Sequence, residues 1–581
     1  MTQFSTTGTL PVGFMDRLAA RLLARGQPVT ALVAHPQPRG TGQFARGKQM
    51  LAGNFLMAGE LLKSDGAVPF RAISGAAVDA LHGFDWLDDL AAVGDQNARK
   101  LGQTGLADWL ERYGRGRGPG WGAGVAGRRL MNWLTHAVML MQGQEKPFQD
   151  RFLRALSHHA AFLARRAGKA APGLPRITAH AGLLFAALSL EGWERRIEPT
   201  ARALIADCDR QIGKDGGIAT RSPEDLLQIF VLLSWAAQAL DEQGRAPDPR
   251  MLGLLVRVAA ALRMLRHADG GLARFHGGGR GNEADLVAAL AVHDTLNPMP
   301  PKGPAGQVMG FARLSAGRST VIVDAAPPPV GAAPGRAHAS TLAFELTSNR
   351  RPVVVSCGDG TSLGVDWQRA SRASASHSTL SIDGYSSARF MGTDRNRLKL
   401  TDGPRNVGCD FRHTSYSRAV ALSHDGYLDT HGLEHTRFLD LSADGRVLSG
   451  EDMLLSSGRA ARKRFDDVLA RTRGAGIAYS LRFHLHPEVD ASVDMNGMAV
   501  SIVLRSGEIW VFRADGHALT LAPSVYLEKA RLKPRASLQI VLSLRAQDYT
   551  SQVNWVVAKA QDTPIALRDT MQENPLAVPE L

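Results

Sequence analysis

The stretch Asn297–Gln307, NPMPPKGPAGQ, decides how this chain is built, because the spacing of apolar residues changes across it. Upstream, RMLGLLVRVAAALRMLRHADGG at 250–271 repeats apolar residues every three or four positions, the period of a helix. Downstream, GFARLSAGRSTVIVDAA at 310–326 alternates them, the period of a strand. The prolines between supply no backbone N–H to either ladder. A chain of 581 residues also exceeds what one hydrophobic core usually supports, about 250–300 residues, so a division is expected.

Working back towards the N-terminus, helical segments follow one another: FDWLDDLAAVGDQNARKLGQTGLADWLERYG, GRRLMNWLTHAVMLMQG, FQDRFLRALSHHAAFLARRAG, ITAHAGLLFAALSLEGW and PEDLLQIFVLLSWAAQAL. Several are apolar over more than one stripe, as an inner layer of stacked hairpins requires. Two loops repeat about 54 residues apart, Lys214-Asp215-Gly216-Gly217 and Ala268-Asp269-Gly270-Gly271. The pattern predicts an incomplete α/α toroid of helical hairpins over 41–304, preceded by an N-terminal extension, 1–40. Working forward, STLAFELTSN, RPVVVSCG, STLSIDG, AYSLRFHLHP, MAVSIVLRSGEIWVFRA and LQIVLSLRA are short alternating runs parted by AspGly and SerGly turns. They predict an antiparallel β-sandwich over 305–565 and a C-terminal tail, 566–581.

Composition sets the limits on function. With 44% hydrophobic and 21% charged residues the chain is an ordinary folded protein. Its net charge of +13 favours acidic partners. Much of the excess is arginine on predicted helices, as at Arg128-Arg129 and Arg165-Arg166, and a solvated basic surface is the expectation. No aromatic-interleaved basic stripe and no zinc-finger spacing occurs, so nucleic acid is not an expected partner. Cys208, Cys357 and Cys409 lack CxxC spacing and are expected as buried thiols. Neither a secretory signal nor a membrane span is legible.

Motifs in the β half go beyond generic strands. Arg336-Ala337-His338-Ala339-Ser340 runs into ThrLeuAlaPheGluLeu, ValValValSerCysGly follows at 353–358, and ArgAlaSerAlaSerHisSerThrLeuSerIleAspGly closes the set at 372–384. HisAspGlyTyr at 424–427, GluHisThrArg at 434–437 and ArgPheHisLeuHisPro at 482–487 come later. A helical half followed by this order of motifs resembles the heparinase II/III family of polysaccharide lyases, which pairs an α/α toroid with an antiparallel β-sandwich. The resemblance implies β-elimination on an acidic, uronate-containing glycan and a setting in the cell envelope or periplasm, with the cytoplasm as the alternative since no signal peptide is legible.

Departures from the family pattern fall on its chemistry. The family's His-x-His-x-Asp element stands here as Arg336-x-His338-x-Ser340. Asp215-Gly-Gly…Arg221-Ser222-Pro223 resembles the segment that carries the family's acid–base tyrosine, without that tyrosine or its histidine. Of the family's Asn-Asn-His helix start, ArgIleThrAlaHisAla keeps His180.

β-Elimination needs the substrate carboxylate neutralised, a base for the carbon acid and an acid for the leaving oxygen. The resemblance makes His180, Arg221, Arg336, His338 and His377 the catalytic candidates, with Arg221 or His180 facing a carboxylate and His338 moving protons. Asn132, Glu224, Tyr385 and Tyr427 are the substrate-binding candidates, the tyrosines as substitutes for the missing one. For Glu224 and Asp225 the plainer reading is first-turn acids after Pro223, favoured by the helix dipole. For Asn132 it is helix packing. The resemblance also implies a structural zinc on His338 and His377, with Ser356 or Asp359 as further ligands; zinc wants four, so no tight metal site is expected. His484 and His486 share one strand face and are expected on a polar sheet surface.

Three functions follow: an active lyase; a glycan-binding or envelope-assembly protein that keeps the fold and has lost proton transfer; or a glycoside hydrolase, for which Asp215 and Glu224 are the pair to examine.

Overall fold

The computed structural model describes residues 13–24, 28–36, 40, 42–72, 75–297, 306–329, 336–391, 399–529 and 531–561. Helices run from Phe14–Leu23 to Glu283–Leu296, interrupted by one small hairpin, Asn54–Met57 with Glu60–Lys63; strands dominate from Gln307 onward. The 298–305 stretch, the 566–581 tail and much of the 1–40 extension lie outside the described residues.

In the helical half, small residues decide how closely helices approach. Ala123–Thr135 lies against Leu174–Ser189 at near backbone contact: a Cβ on Gly127 would sit 2.6 Å from the Thr178 carbonyl oxygen, and one on Gly182 2.4 Å from that of Gly127. Leu174–Ser189 is buried on every residue from Ile177 to Ser189, as an inner-layer helix must be. Part of the expected extension joins this core. Ala19 and Ala20 of Phe14–Leu23 are buried, Arg166 bonds Asp16, and His158 lies 2.6 Å from the Ala20 carbonyl.

The two AspGlyGly loops form the same turn. Asp215 accepts from the Gly217 amide at 3.0 Å and Asp269 from that of Gly271 at 3.0 Å. Gly213 N–H bonds the Gly217 carbonyl and His267 N–H that of Gly271, each at 2.8 Å. Gly216 and Gly270 take φ of +80° and +90°, which only glycine adopts without strain.

One sequence expectation is corrected here. Arg129 is not solvated but fully buried. Its guanidinium lies 4.2 Å from the Trp109 ring centre and near Trp121 and Trp133, and bonds the carbonyls of His82 and Gly120 and the ring of His159. The helix Ala123–Thr135 turns Arg129 to the core, while Arg128 pairs with Asp85 at 2.7 Å.

The β half is two antiparallel sheets face to face. One has eight strands, in the order Val407–Phe411, Ser417–Tyr427, Leu433–Ser442, Val447–Leu455, Thr550–Gln561, Ile509–Ala514, Ala499–Leu504, Val489–Asp494. The other has nine and contains Gln307–Val308, Phe311–Ala316, Ser319–Asp324, Phe344–Ser348, Arg351–Val355 and Ile477–Leu485. Between them Phe344 stacks on Trp555 at 5.7 Å, with Phe483 edge-on at 4.9 Å. Gly450 leaves room for that indole, since a Cβ there would meet the ring at 2.0 Å. Helix Arg459–Arg471 crosses from one sheet to the other, an element the alternating pattern does not announce.

Cys208 and Cys357 are buried as expected, whereas Cys409, on the edge strand Val407–Phe411, is half-buried. Among the described residues no helix is long and apolar enough to cross a membrane.

Candidate functional site

The candidate site lies where loops of the toroid meet strands of the sandwich. The first AspGlyGly turn leads into Ile218–Ser222, where Ser222 caps helix Pro223–Glu242 by accepting from the Asp225 amide at 3.3 Å. This fixes Arg221 just ahead of the helix with φ of +53°. The second turn leads into a loop holding Arg274 and His276, the latter at φ of +47°. Left-handed backbone in a non-glycine residue costs about 1–3 kcal/mol and persists where tertiary contacts enforce it.

At Arg221 those contacts are explicit. Its guanidinium donates to the carbonyls of Met309 (2.9 Å), Gly310 (2.8 Å) and Pro327 (2.7 Å), pairs with Asp324, and lies 4.7 Å from the Phe311 ring centre. Every one of these partners belongs to the sandwich side. Arg221 is therefore an inter-domain tie, and the expectation that it faces a substrate carboxylate is corrected, because its donors are already engaged.

From Asp324 a buried polar chain continues. Ser340 donates to its carboxylate at 2.6 Å, and His276 Nε2 lies 3.3 Å away. His276 Nδ1 accepts from the His338 amide at 3.2 Å, His338 Nδ1 meets His377 Nε2 at 3.2 Å, and His377 Nδ1 meets the Ser356 hydroxyl at 3.0 Å. Burial would push the Asp324 carboxyl up, but Arg221 and His276 together hold it far below the ordinary range. Burial lowers both imidazoles, His338 far below its usual value and His377 to about 3, so both are neutral at pH 7. His338 is 2% and His377 0% exposed, and neither presents a ring nitrogen to solvent as placed. His338 Nε2 has no hydrogen-bond partner among the described residues.

Beside this chain runs a charged layer that is partly open. Asp225 accepts from Arg336 at 2.8 Å; Glu224 accepts from Lys529 at 2.5 Å and from the Gly279 amide at 2.9 Å. Glu224 is driven up by burial and, more strongly in sum, down by Lys529, Gly279 and Arg336, so it stays ionised. Arg336 and Lys529 keep side-chain exposures of 30% and 37%, so solvent reaches both. Arg274 lies 3.9 Å from the Tyr526 ring centre and bonds the Leu527 carbonyl, with Nη1 buried and unpartnered.

The remaining candidates are elsewhere or otherwise engaged. His180 pairs with Asp207 at 3.0 Å, inside the toroid. Asn132 donates to the Gly83 carbonyl at 2.9 Å, as a packing amide does. Tyr427 is fully buried, its hydroxyl on the Leu380 carbonyl at 3.1 Å, and burial raises its pKa further. Tyr385 is 46% exposed and sits edge-on to His431 at 4.7 Å. His484 and His486 are buried, not on a polar surface: the first bonds Ser524 at 2.8 Å and the Ala375 carbonyl at 3.0 Å, the second packs on Tyr526. Asp215 is fixed by the Gly217 and Met309 amides, and Glu224 by Lys529, so both carboxylates are already engaged. Ser356 is bonded to His377 and Asp359 to Thr361; among the described residues no three His, Cys, Asp or Glu side chains are grouped to hold a metal ion.

Arg274, His276, Asp324 and Lys529 escaped sequence reasoning. Arg274 and His276 had a local signal, their place a few residues beyond the second AspGlyGly turn.

Comparison with known proteins accords with this architecture. The model described as "Heparinase II/III-like, C-terminal" matches residues 298–556. FtsZ-localized protein C of Caulobacter vibrioides is 31% identical over 527 residues, covering 89% of this chain and 88% of that protein. Among solved structures, heparinase III superposes with a TM-score of 0.67 at 14% identity, covering 95% of this chain and 93% of its own. Heparan sulfate lyase HepC from Pedobacter heparinus does so with 0.55 at 14% identity, covering 94% and 88%. At such identity the structural likeness speaks for the fold alone.

Proposed function

The chain belongs to the heparinase II/III family, and from that membership we propose a polysaccharide lyase-like protein that binds an acidic glycan and has lost efficient β-elimination. One observation carries the reading: His338 and His377, the paired imidazoles at the seam, are buried and held neutral by that burial, and among the described residues no tyrosine hydroxyl is hydrogen-bonded to either. Carboxylate recognition falls instead to Arg336 and Lys529, with Arg274 behind them. The name of the Caulobacter relative supports a setting at the bacterial division site, where a glycan-binding protein would serve envelope assembly.

The active-lyase reading keeps one foothold, the unpartnered Nε2 of His338, which is the nitrogen a base would use. Purified protein mixed with heparan-type, alginate-type and bacterial exopolysaccharides separates the two. Binding by calorimetry without new ultraviolet absorbance from unsaturated sugar supports the proposal. Unsaturated product that disappears in His338→Ala restores the lyase, and absence of binding across the panel removes the glycan.

A further inference from the structure

Helix Arg459–Arg471 carries a charge pattern that the fold does not require. From Arg459 to Arg473 the sequence RAARKRFDDVLARTR holds six basic residues, Arg459, Arg462, Lys463, Arg464, Arg471 and Arg473, against Asp466 and Asp467. Only Ala461 and Phe465 of the helix are buried, and these hold it to the sandwich. Arg459, Lys463, Arg464 and Arg471 are exposed, and among the described residues none of them is ion-paired. Arg459 and Lys463 stand one turn apart, an arrangement of like charges that weakens a helix.

Beside the first turns lies a cavity of about 550 Å³ lined by Gly458, Arg459, Arg462, Lys463 and Asp466. Two of its lining side chains are held by Tyr549, which donates to Asp466 at 3.1 Å and lies under Arg462 at 5.0 Å.

We propose that this helix is a docking surface for an acidic polypeptide segment, rich in Asp and Glu, separate from the seam. Charge complementarity selects the sign of the partner. The apolar side of the helix faces inward, so it offers a bilayer nothing to insert. Tyr549 is the ring at the site, and Arg462 already lies 5.0 Å from its centre, where it competes with any sugar or base that would stack there. A chain of carboxylates laid along the ridge would meet Arg459, Lys463 and Arg464 in succession.

The test is titration of the full chain with fluorescent poly-L-glutamate, read by anisotropy, with heparin and anionic phosphatidylglycerol vesicles as parallel arms. Arg459→Gln/Lys463→Gln/Arg464→Gln is expected to weaken polyglutamate binding about tenfold. The exposed pair Arg195→Gln/Arg196→Gln, on another surface, is expected to leave it unchanged. Thermal melting of the triple variant verifies that the fold survives. Equal loss in both variants, unchanged binding in the triple variant, or a loss confined to heparin or to vesicles overturns the proposal.

Discussion

Arg221 of the toroid and Asp324 of the sandwich form a buried ion pair across the domain seam, with Asp324 fully enclosed. Removing one partner of such a pair strands the other charge, at about 3–5 kcal/mol, whereas removing both costs far less. Arg221→Met should therefore lower stability by about that amount, and Arg221→Met/Asp324→Leu by clearly less. Urea unfolding measures both; a stable Arg221→Met would end the view of Arg221 as the inter-domain tie.

Acid should loosen the seam through its neutral imidazoles. Unfolded, a histidine takes up its proton near pH 6.5; folded, His377 does so only near pH 3. Between those values the unfolded chain binds more protons, so the contribution of His377 is present at neutral pH and is lost as pH falls. The loss from pH 7 to pH 5 is about 2 kcal/mol for one such group. Scanning calorimetry should find the acid-induced fall in Tm smaller in His377→Gln than in the parent; equal falls would refute the assignment.

Arg129 predicts a different sensitivity. Its loss would leave the His82 and Gly120 carbonyls without their donor inside a cage of Trp109, Trp121 and Trp133. Arg129→Met should cost about 2–4 kcal/mol and shift tryptophan fluorescence, and Arg129→Lys should not restore it, since an ammonium lacks the planar fork and stacking face. Full recovery by lysine would contradict the caged geometry.

Glycan affinity should depend on the exposed cations of the seam. Arg336→Gln and Lys529→Gln are each expected to weaken binding of an acidic glycan by about 5–10-fold. His180→Gln, within the toroid, should leave affinity within about twofold. Calorimetric titration distinguishes these cases, and a larger effect from His180 would move the site away from the seam.

Much of the site was legible as position and little of it as role. Ser222-Pro223 announced a helix start, and Glu224 and Asp225 are indeed first-turn acids, yet their salt bridges to Lys529 and Arg336 join residues 305 and 111 positions apart. Local spacing says nothing of such pairs. His338 and His377 stood out by motif and meet in the fold, while His180, singled out in the same way, pairs with Asp207 within the toroid.

The sequence by itself determined the division of the chain, because apolar periodicity and proline act over a few residues through backbone hydrogen bonding and burial of one face. It also determined the two AspGlyGly turns, where the second position needs a φ that glycine supplies without strain. Only the tertiary structure decided which charges are solvated and which are enclosed. Arg128 and Arg129 are neighbours with the same side chain, and the rotation of about 100° between successive helical residues sends the first to Asp85 and the second into a tryptophan cage. Burial and charge pairing fix what an ionisable group can do, and both come from segments far apart in the chain.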